Sequence, residues 1–190
     1  MARIRYHLLF LLLFFPCLMS CTLLLPWPVS PIDTVHCLQA LPKGYEVHAT
    51  VRVSSSDQHY LLAIGTGPER LQLALLAAQG LPVYRLVCEQ DSPRVIMKTT
   101  LGEHLPPLVL LNYLGLIYMP SPLLSQQLRT DWVLQEQLGE RVLARPAGAV
   151  GIRVVYRGQA PWFSSVDLFD ELNGVNLRLV ILESSRVLSE

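Results

Sequence analysis

The chain has 190 residues, 15 basic and 15 acidic side chains and a formal net charge of zero, with just over half of its residues apolar. No run of lysines or arginines occurs, which excludes the electrostatic footprint of a nucleic-acid-binding protein. This length predicts one domain with a core of its own, and neither a repeat nor a long low-complexity stretch divides it.

Residues 1–20 read as a secretory signal. Arg3 and Arg5 form a basic start and residues 8–15 an unbroken apolar run. The exit, Leu18-Met19-Ser20-Cys21, resembles the aliphatic, tolerant, small, Cys order at which bacterial signal peptidase cuts lipoproteins. That resemblance implies that Cys21 is diacylated through its sulfur and becomes the mature N-terminus. Several acyl chains hold a membrane stably where one is marginal. Thr22 stands where an Asp would mark retention in the inner membrane, so it points to the outer membrane. The competing reading is an uncleaved anchor helix over 8–25, near the roughly 20 residues a span needs but interrupted by Pro16. Cleavage leaves 13 basic residues against 15 acidic, a net charge of −2.

Cys17 leaves with the signal and Cys21 carries lipid, so Cys37 and Cys88 remain. They form either one disulfide in an oxidising periplasm or two buried thiols packing as small apolar groups. There is no CxxC and no Cys/His cluster at metal spacing, and neither metal nor cofactor is expected. Residues 21–44 hold four prolines and read as a tether and lead-in. Residues 45–190 form the domain.

Strands begin at once. In 46–54, Val47, Ala49, Val51 and Val53 alternate with His48, Thr50 and Arg52, the pattern of a half-buried strand. Strands follow at 59–66, 70–77, 82–89 and 94–101, separated by short Gly, Pro and Asp turns, which predicts an antiparallel meander. Then 24 residues, 105–128, pass without a charge. Pro106-Pro107 suits a helix start and Pro120 stops it. The enclosed helix is about 20 Å long, too short to cross a hydrocarbon layer of about 30 Å. Asn112 is its one strongly polar side chain. A helix apolar all round must be covered all round. A second short helix or turn spans 122–128. Strands resume at 132–138, 141–145 and 151–157, and a last pair, 166–171 and 175–183, is joined at Asn173-Gly174, a strong hairpin signal. The expected class is α+β: a curved antiparallel sheet, a half-open β-barrel, wrapped around a short helical insert.

The proline-started leucine segment ending in Tyr118-Met119-Pro120, then Trp132, the Arg141–Pro146 stretch and the closing Val175–Glu183 stretch resemble a family of bacterial lipoproteins. That family is associated with aryl-polyene gene clusters and is similar in layout to LolA and LolB, a periplasmic lipoprotein carrier and its outer-membrane receptor. The resemblance implies a half-open barrel that holds acyl chains under a helical lid, with a periplasmic carrier protein as partner. The alternation supplies inward candidates: Leu71, Leu73, Leu75, Val83, Val87, Val95, Met97, Val154 and Tyr156. From the helix come Leu108, Leu111, Leu114 and Tyr118. Each side chain alone is also compatible with ordinary core packing.

A search for catalysis is negative. GxSxG, HExxH and P-loop patterns are missing, and His36, His48, His59 and His104 hold no i, i+4 pair. His48 and His59 would face each other only across a hairpin. Ser54, Ser55, Ser56, Asp57 and His59 have triad residue types, but in one turn. Asp167, Asp170 and Glu171 near Arg178 would make a carboxylate group, and Arg85, Arg153 and Arg178 face solvent or a lipid headgroup. The expected function is an outer-membrane lipoprotein, not an enzyme, that binds or relays an acylated or polyene lipid, or a lipoprotein, at the periplasmic face. A non-catalytic scaffold acting through protein partners is the alternative, and a lipid hydrolase the third.

Overall fold

Apolar and polar residues alternate along most of the strands, and the strands follow that alternation. A computed structural model describes residues 30–32, 36–54, 56–145 and 150–187, so the signal segment and Cys21 lie outside the described residues. β1 (Tyr45–Val53), β2 (Gln58–Thr66), β3 (Arg70–Ala77), β4 (Pro82–Glu89) and β5 (Ser92–Lys98) form one meander. Helices α1 (Pro107–Tyr118) and α2 (Ser121–Gln127) follow. β6 (Val133–Gln137), β7 (Glu140–Ala144), β8 (Val150–Arg157), β9 (Ser165–Asp170) and β10 (Val175–Arg186) form a second meander. The strand expected over 94–101 stops at Lys98, because Thr99 turns its N–H and its hydroxyl back to the Val83 carbonyl and a 3-10 turn follows at Thr100–Gly102. The last hairpin turns over four residues, 171–174, with Asp170 accepting the Asn173 N–H.

All ten strands belong to one antiparallel sheet in the order β5-β4-β3-β2-β1-β10-β9-β8-β7-β6. The first and last strands pair at its centre, Tyr45 opposite Arg186 through Val53 opposite Leu177. The two meanders grow outward from that seam and leave β5 and β6 as free edges. The chain between those edges is the helical segment, so it must cross from one side of the sheet to the other.

That crossing bends the sheet. α1 touches both β4 and β9, which stand five strand positions apart. In a flat sheet that separation is about 24 Å, whereas a helix is only about 10 Å across. The sheet therefore curls around α1, helped by register shifts at His48/Ala49, Leu75/Leu76, Arg85/Leu86 and Leu143/Ala144, which sharpen local twist. The barrel stays open because β5 and β6 do not pair.

Val47, Val51, Leu62, Leu73, Leu168 and Leu179 line the concave side and share one core with Leu110, Leu111, Leu114, Leu116 and Ile117 of α1. Among the described residues no helix is long and apolar enough to cross a membrane. Coverage of α1 is incomplete: Leu108, in its first turn, is 48% exposed. Trp132 packs closely against Gly151, where a Cβ would lie 2.5 Å from the indole ring.

The lead-in is a strap. Cys37 and Cys88 are joined in a disulfide, so the bridge and not the pair of free thiols is observed. The Leu38 N–H donates to Asp91 Oδ1 at 2.8 Å, and Ala40 and Leu41 are buried. Upstream, Ile32 forms a bridge with Leu128 and the Arg129 N–H donates to the Pro31 carbonyl. The disulfide spans 51 residues of sequence, and a loop of that size restrains the unfolded chain by about 4 kcal/mol. Denaturant unfolding of the oxidised chain and of the Cys37→Ser/Cys88→Ser variant should differ by an amount of that order. A difference below about 1 kcal/mol would show that the strap is held by its other contacts.

Candidate functional site: an uncharged helix in an open sheet, with a cavity at each flank

A helix end leaves carbonyls without partners, and α1 ends inside the protein. Arg141, on β7 and only 7% exposed, supplies the donors. Its Nη1 donates to the carbonyls of Leu116 at 2.7 Å, Met119 at 3.0 Å and Ile117 at 3.3 Å. Nε and Nη2 hold Glu136 at 2.8 and 2.7 Å, and Nη2 reaches Ser121. A cation at a helix C-terminus also opposes the helix dipole favourably. The Tyr156 hydroxyl donates to the Ile117 carbonyl at 2.8 Å, and the Tyr113 hydroxyl to Asp170 Oδ2 at 3.0 Å.

These groups hold defined protonation states. Partial burial works against the charge of Glu136, but hydrogen bonds from Ser121 and Arg141, and the guanidinium charge, outweigh it and keep its carboxyl below the usual range. Burial pushes the Tyr156 phenol up to about 12, with Arg141 lowering and Glu136 raising it. Burial also raises Tyr113, reinforced by the charge of Asp170 and their hydrogen bond, and it raises Tyr118. All three tyrosines are therefore neutral hydroxyls near neutral pH.

Two cavities flank the helix. The larger, about 720 Å³, opens at the end of α1 between the strap, the α1–α2 junction and the β6–β7 hairpin. Its walls include Leu38, Leu41, Met119, Leu123, Tyr156 and Phe163. Tyr118 also lines it, with its ring centroid 4.6 Å from that of Trp162, and Tyr156 meets Phe163 at 4.5 Å. The smaller, about 300 Å³, lies between Leu108, Val109, Asn112 and Leu116 of α1 and Ile152 and Asp170 of the sheet, with Ser30 and Pro31 at its border.

The predicted lining residues divide accordingly. Leu71, Leu73, Leu75, Val83, Val154, Leu111 and Leu114 do come together, each at most 2% exposed, but as closed core between sheet and α1 rather than as the wall of an open cavity. Tyr118 and Tyr156 line the larger cavity and Leu108 the smaller. Two expectations are corrected by the register. Val87 is buried, at 7% exposure, but it stands opposite Gln72 and Arg94, in phase with Arg85 rather than with the inward Leu86. Met97 stands opposite Arg85, because the shift between Arg85 and Leu86 breaks the alternation, and it is 36% exposed on the outer face. Val95, opposite Leu86 on the edge strand, is exposed too.

The charged candidates disperse. His48 pairs with Ala63 and His59 with Arg52, so the two histidines do not face each other. Asp57 is engaged by Arg52 in an exposed turn. Asp167 sits on the outer face between Arg157 and Arg178, whereas Asp170 is buried on the inner one, so they form no common carboxylate group. Arg153 lies over Phe169 and Arg85 donates to Gln72, both on the outer face. Among the described residues the one cluster of ligand-type atoms is Cys37, Cys88 and Asp91, and its sulfurs are bonded to each other. Arg141 was missed. Its signal was present in β7, where it is in phase with the inward Leu143.

The sequence model of the family described as "Protein of unknown function (DUF3261)" matches residues 45–183. The chain belongs to this family. Among solved structures it is similar to a LolA superfamily protein from Nitrosomonas europaea, at 10% identity and a TM-score of 0.47, over 82% of this chain and 91% of that one. No curated protein matches.

Arg141→Lys should destabilise this DUF3261 protein by about 2–3 kcal/mol in urea unfolding, because one ammonium cannot reach three carbonyls and Glu136 together. A loss under about 0.5 kcal/mol, within the range of ordinary surface changes, would show that the clamp is dispensable. The lowered pKa of Glu136 fixes the pH dependence. Its contribution is complete above the unfolded carboxylate value of about 4.3 and is lost as pH falls through the lower folded value. Glu136→Gln should therefore be less stable than the parent at pH 6, and the gap should close in acid. An equal gap at every pH would refute that linkage.

Proposed function

We propose that this protein is an outer-membrane lipoprotein, anchored through Cys21 at the periplasmic face, that binds or relays an acylated or polyene lipid. The observation that carries this reading is the cavity of about 720 Å³ at the end of α1, mostly apolar, with Lys43, Glu136, Glu140 and Arg141 also on its wall. It lies within the size range of ligand pockets, and its aliphatic and aromatic walls continue into the core around an uncharged helix. Each methylene buried there gains about 0.8 kcal/mol. A chain longer than the cavity would extend by displacing α1, whose side chains meet the sheet through apolar contacts, with polar ties at Tyr113, Tyr156 and Arg141. A periplasmic carrier protein is the natural partner for such a relay.

A second reading is a scaffold that binds other proteins. It draws on the free edge β5, where Val95 and Ile96 are exposed beside Leu101. Edge strands with apolar surface are ready templates for strand addition.

Native mass spectrometry of the full chain, released from mild detergent, should show a bound lipid near one-to-one. Leu123→Asp with Phe163→Asp, placing charge in the cavity wall, should lose it while the circular dichroism spectrum is kept. A lipid-free mass after exposure to phospholipid and polyene extracts would defeat the lipid reading and favour the scaffold. Cys21→Ser should move the protein to the soluble fraction, and continued membrane fractionation would favour an uncleaved anchor.

A further inference from the structure

The smaller cavity carries a polar feature that lipid binding in the larger one leaves unused. Asn112 is the strongly polar side chain of an otherwise apolar helix, and it lines this pocket with no hydrogen-bond partner for its amide among the described residues. Facing it across the pocket is Asp170, which is 1% exposed.

The bonds of Asp170 can be followed atom by atom. Oδ2 accepts from the Tyr113 hydroxyl at 3.0 Å and from Asn173 Nδ2 at 2.6 Å. Oδ1 accepts the Asn173 N–H at 3.0 Å. A carboxylate offers about four acceptor positions, so one remains on Oδ1. All three donors are neutral, and among the described residues no cation pairs with this carboxylate. A buried carboxylate without a cation is costly, and the remaining walls, including Leu108, Val109, Leu116 and Ile152, are apolar. The pocket thus combines one uncompensated negative charge, one free amide and an aliphatic lining in about 300 Å³, the small end of the ligand range.

We infer that this pocket binds the head of a small amphiphile bearing a primary ammonium. The ammonium donates to Oδ1 of Asp170 and to the side-chain carbonyl of Asn112, and a short alkyl portion lies against Leu108 and Ile152. The carboxylate disfavours anionic ligands, and an alcohol of the same length forms the hydrogen bond without the charge. This inference does not rest on the lipid reading of the larger cavity.

The chain contains three asparagines, Asn112, Asn173 and Asn176. Two border the pocket, and Asn176 is exposed on the outer face. Selective ¹⁵N-asparagine labelling of the full chain in nanodiscs therefore reports the site with an internal control. Titration with n-pentylammonium should move the Asn112 and Asn173 side-chain signals saturably and leave Asn176 in place. Binding should be about tenfold tighter than for 1-pentanol, and pentanoate should not bind. Asp170→Asn should bring the amine and the alcohol to similar affinity. Asn112→Leu, which keeps the helix, should weaken the amine about fivefold or more with an unchanged melting temperature, and it decides the matter if Asp170→Asn does not fold. An absence of saturable shifts, equal binding of amine and alcohol, a preference that survives Asp170→Asn, or full affinity in Asn112→Leu would each overturn the inference.

Discussion

A helix of 12 residues without a charge has few ways to exist in water, and the sheet is shaped by the need to cover it. The covering is a matter of connectivity as much as of hydrophobicity. The helix lies in the only stretch of chain that joins the two edge strands, so it is carried across the inner face of the sheet. A flat sheet would leave either β4 or β9 out of reach, and the register shifts in β1, β3, β4 and β7 supply the bend. Curvature, core and cavities all follow from that placement.

Burying a helix also buries its ends. The carbonyls of Leu116, Ile117 and Met119 need donors where water is scarce, and one buried guanidinium meets all three while its remaining donors engage Glu136 and Ser121. Arginine suits this place because its donors are fixed in a plane and its charge is permanent. Apart from Asn112 the helix is thus greasy along its length, and it is tied by polar contacts at Tyr113 and in its last turn. Apolar contacts slide and repack at modest cost, whereas these polar points specify one position for the helix.

The outer face follows different rules. Arg70 with Glu89 and Arg52 with Asp57 are exposed pairs, and such pairs contribute about 0–1 kcal/mol each, while Asp167, itself mostly covered, lies between the exposed Arg157 and Arg178. They place charge on the convex side of the sheet. Among the described residues the buried charged side chains are Arg141, whose donors are engaged, and Asp170, which accepts three hydrogen bonds. This contrast is why the inner charges, and not the more numerous outer ones, mark the candidate sites.

The sequence by itself determined the elements: strand positions by alternation, the helix start by Pro106-Pro107, its stop by Pro120, and its inability to span a membrane by length. These are local matters, decided by backbone sterics and by the period of neighbouring side chains. It also narrowed Cys37 and Cys88 to a bridge or two buried thiols, and Cα atoms 6.3 Å apart settled the choice. What only the tertiary structure decided was facing and closure. Alternation assumes an unbroken strand, so the bulge at Arg85/Leu86 turned Met97 outward where the pattern put it inward. Asp167 and Asp170 look like neighbours in sequence, yet three residues along a strand place them on opposite faces. Leu71, Leu73 and Leu75 point inward as read, but whether they bound a cavity or a filled core depends on where α1 lies, and no local pattern encodes that distance. The cavities arise between segments far apart in the chain, the strap, the helix junction and the β6–β7 hairpin, and only packing brings those together.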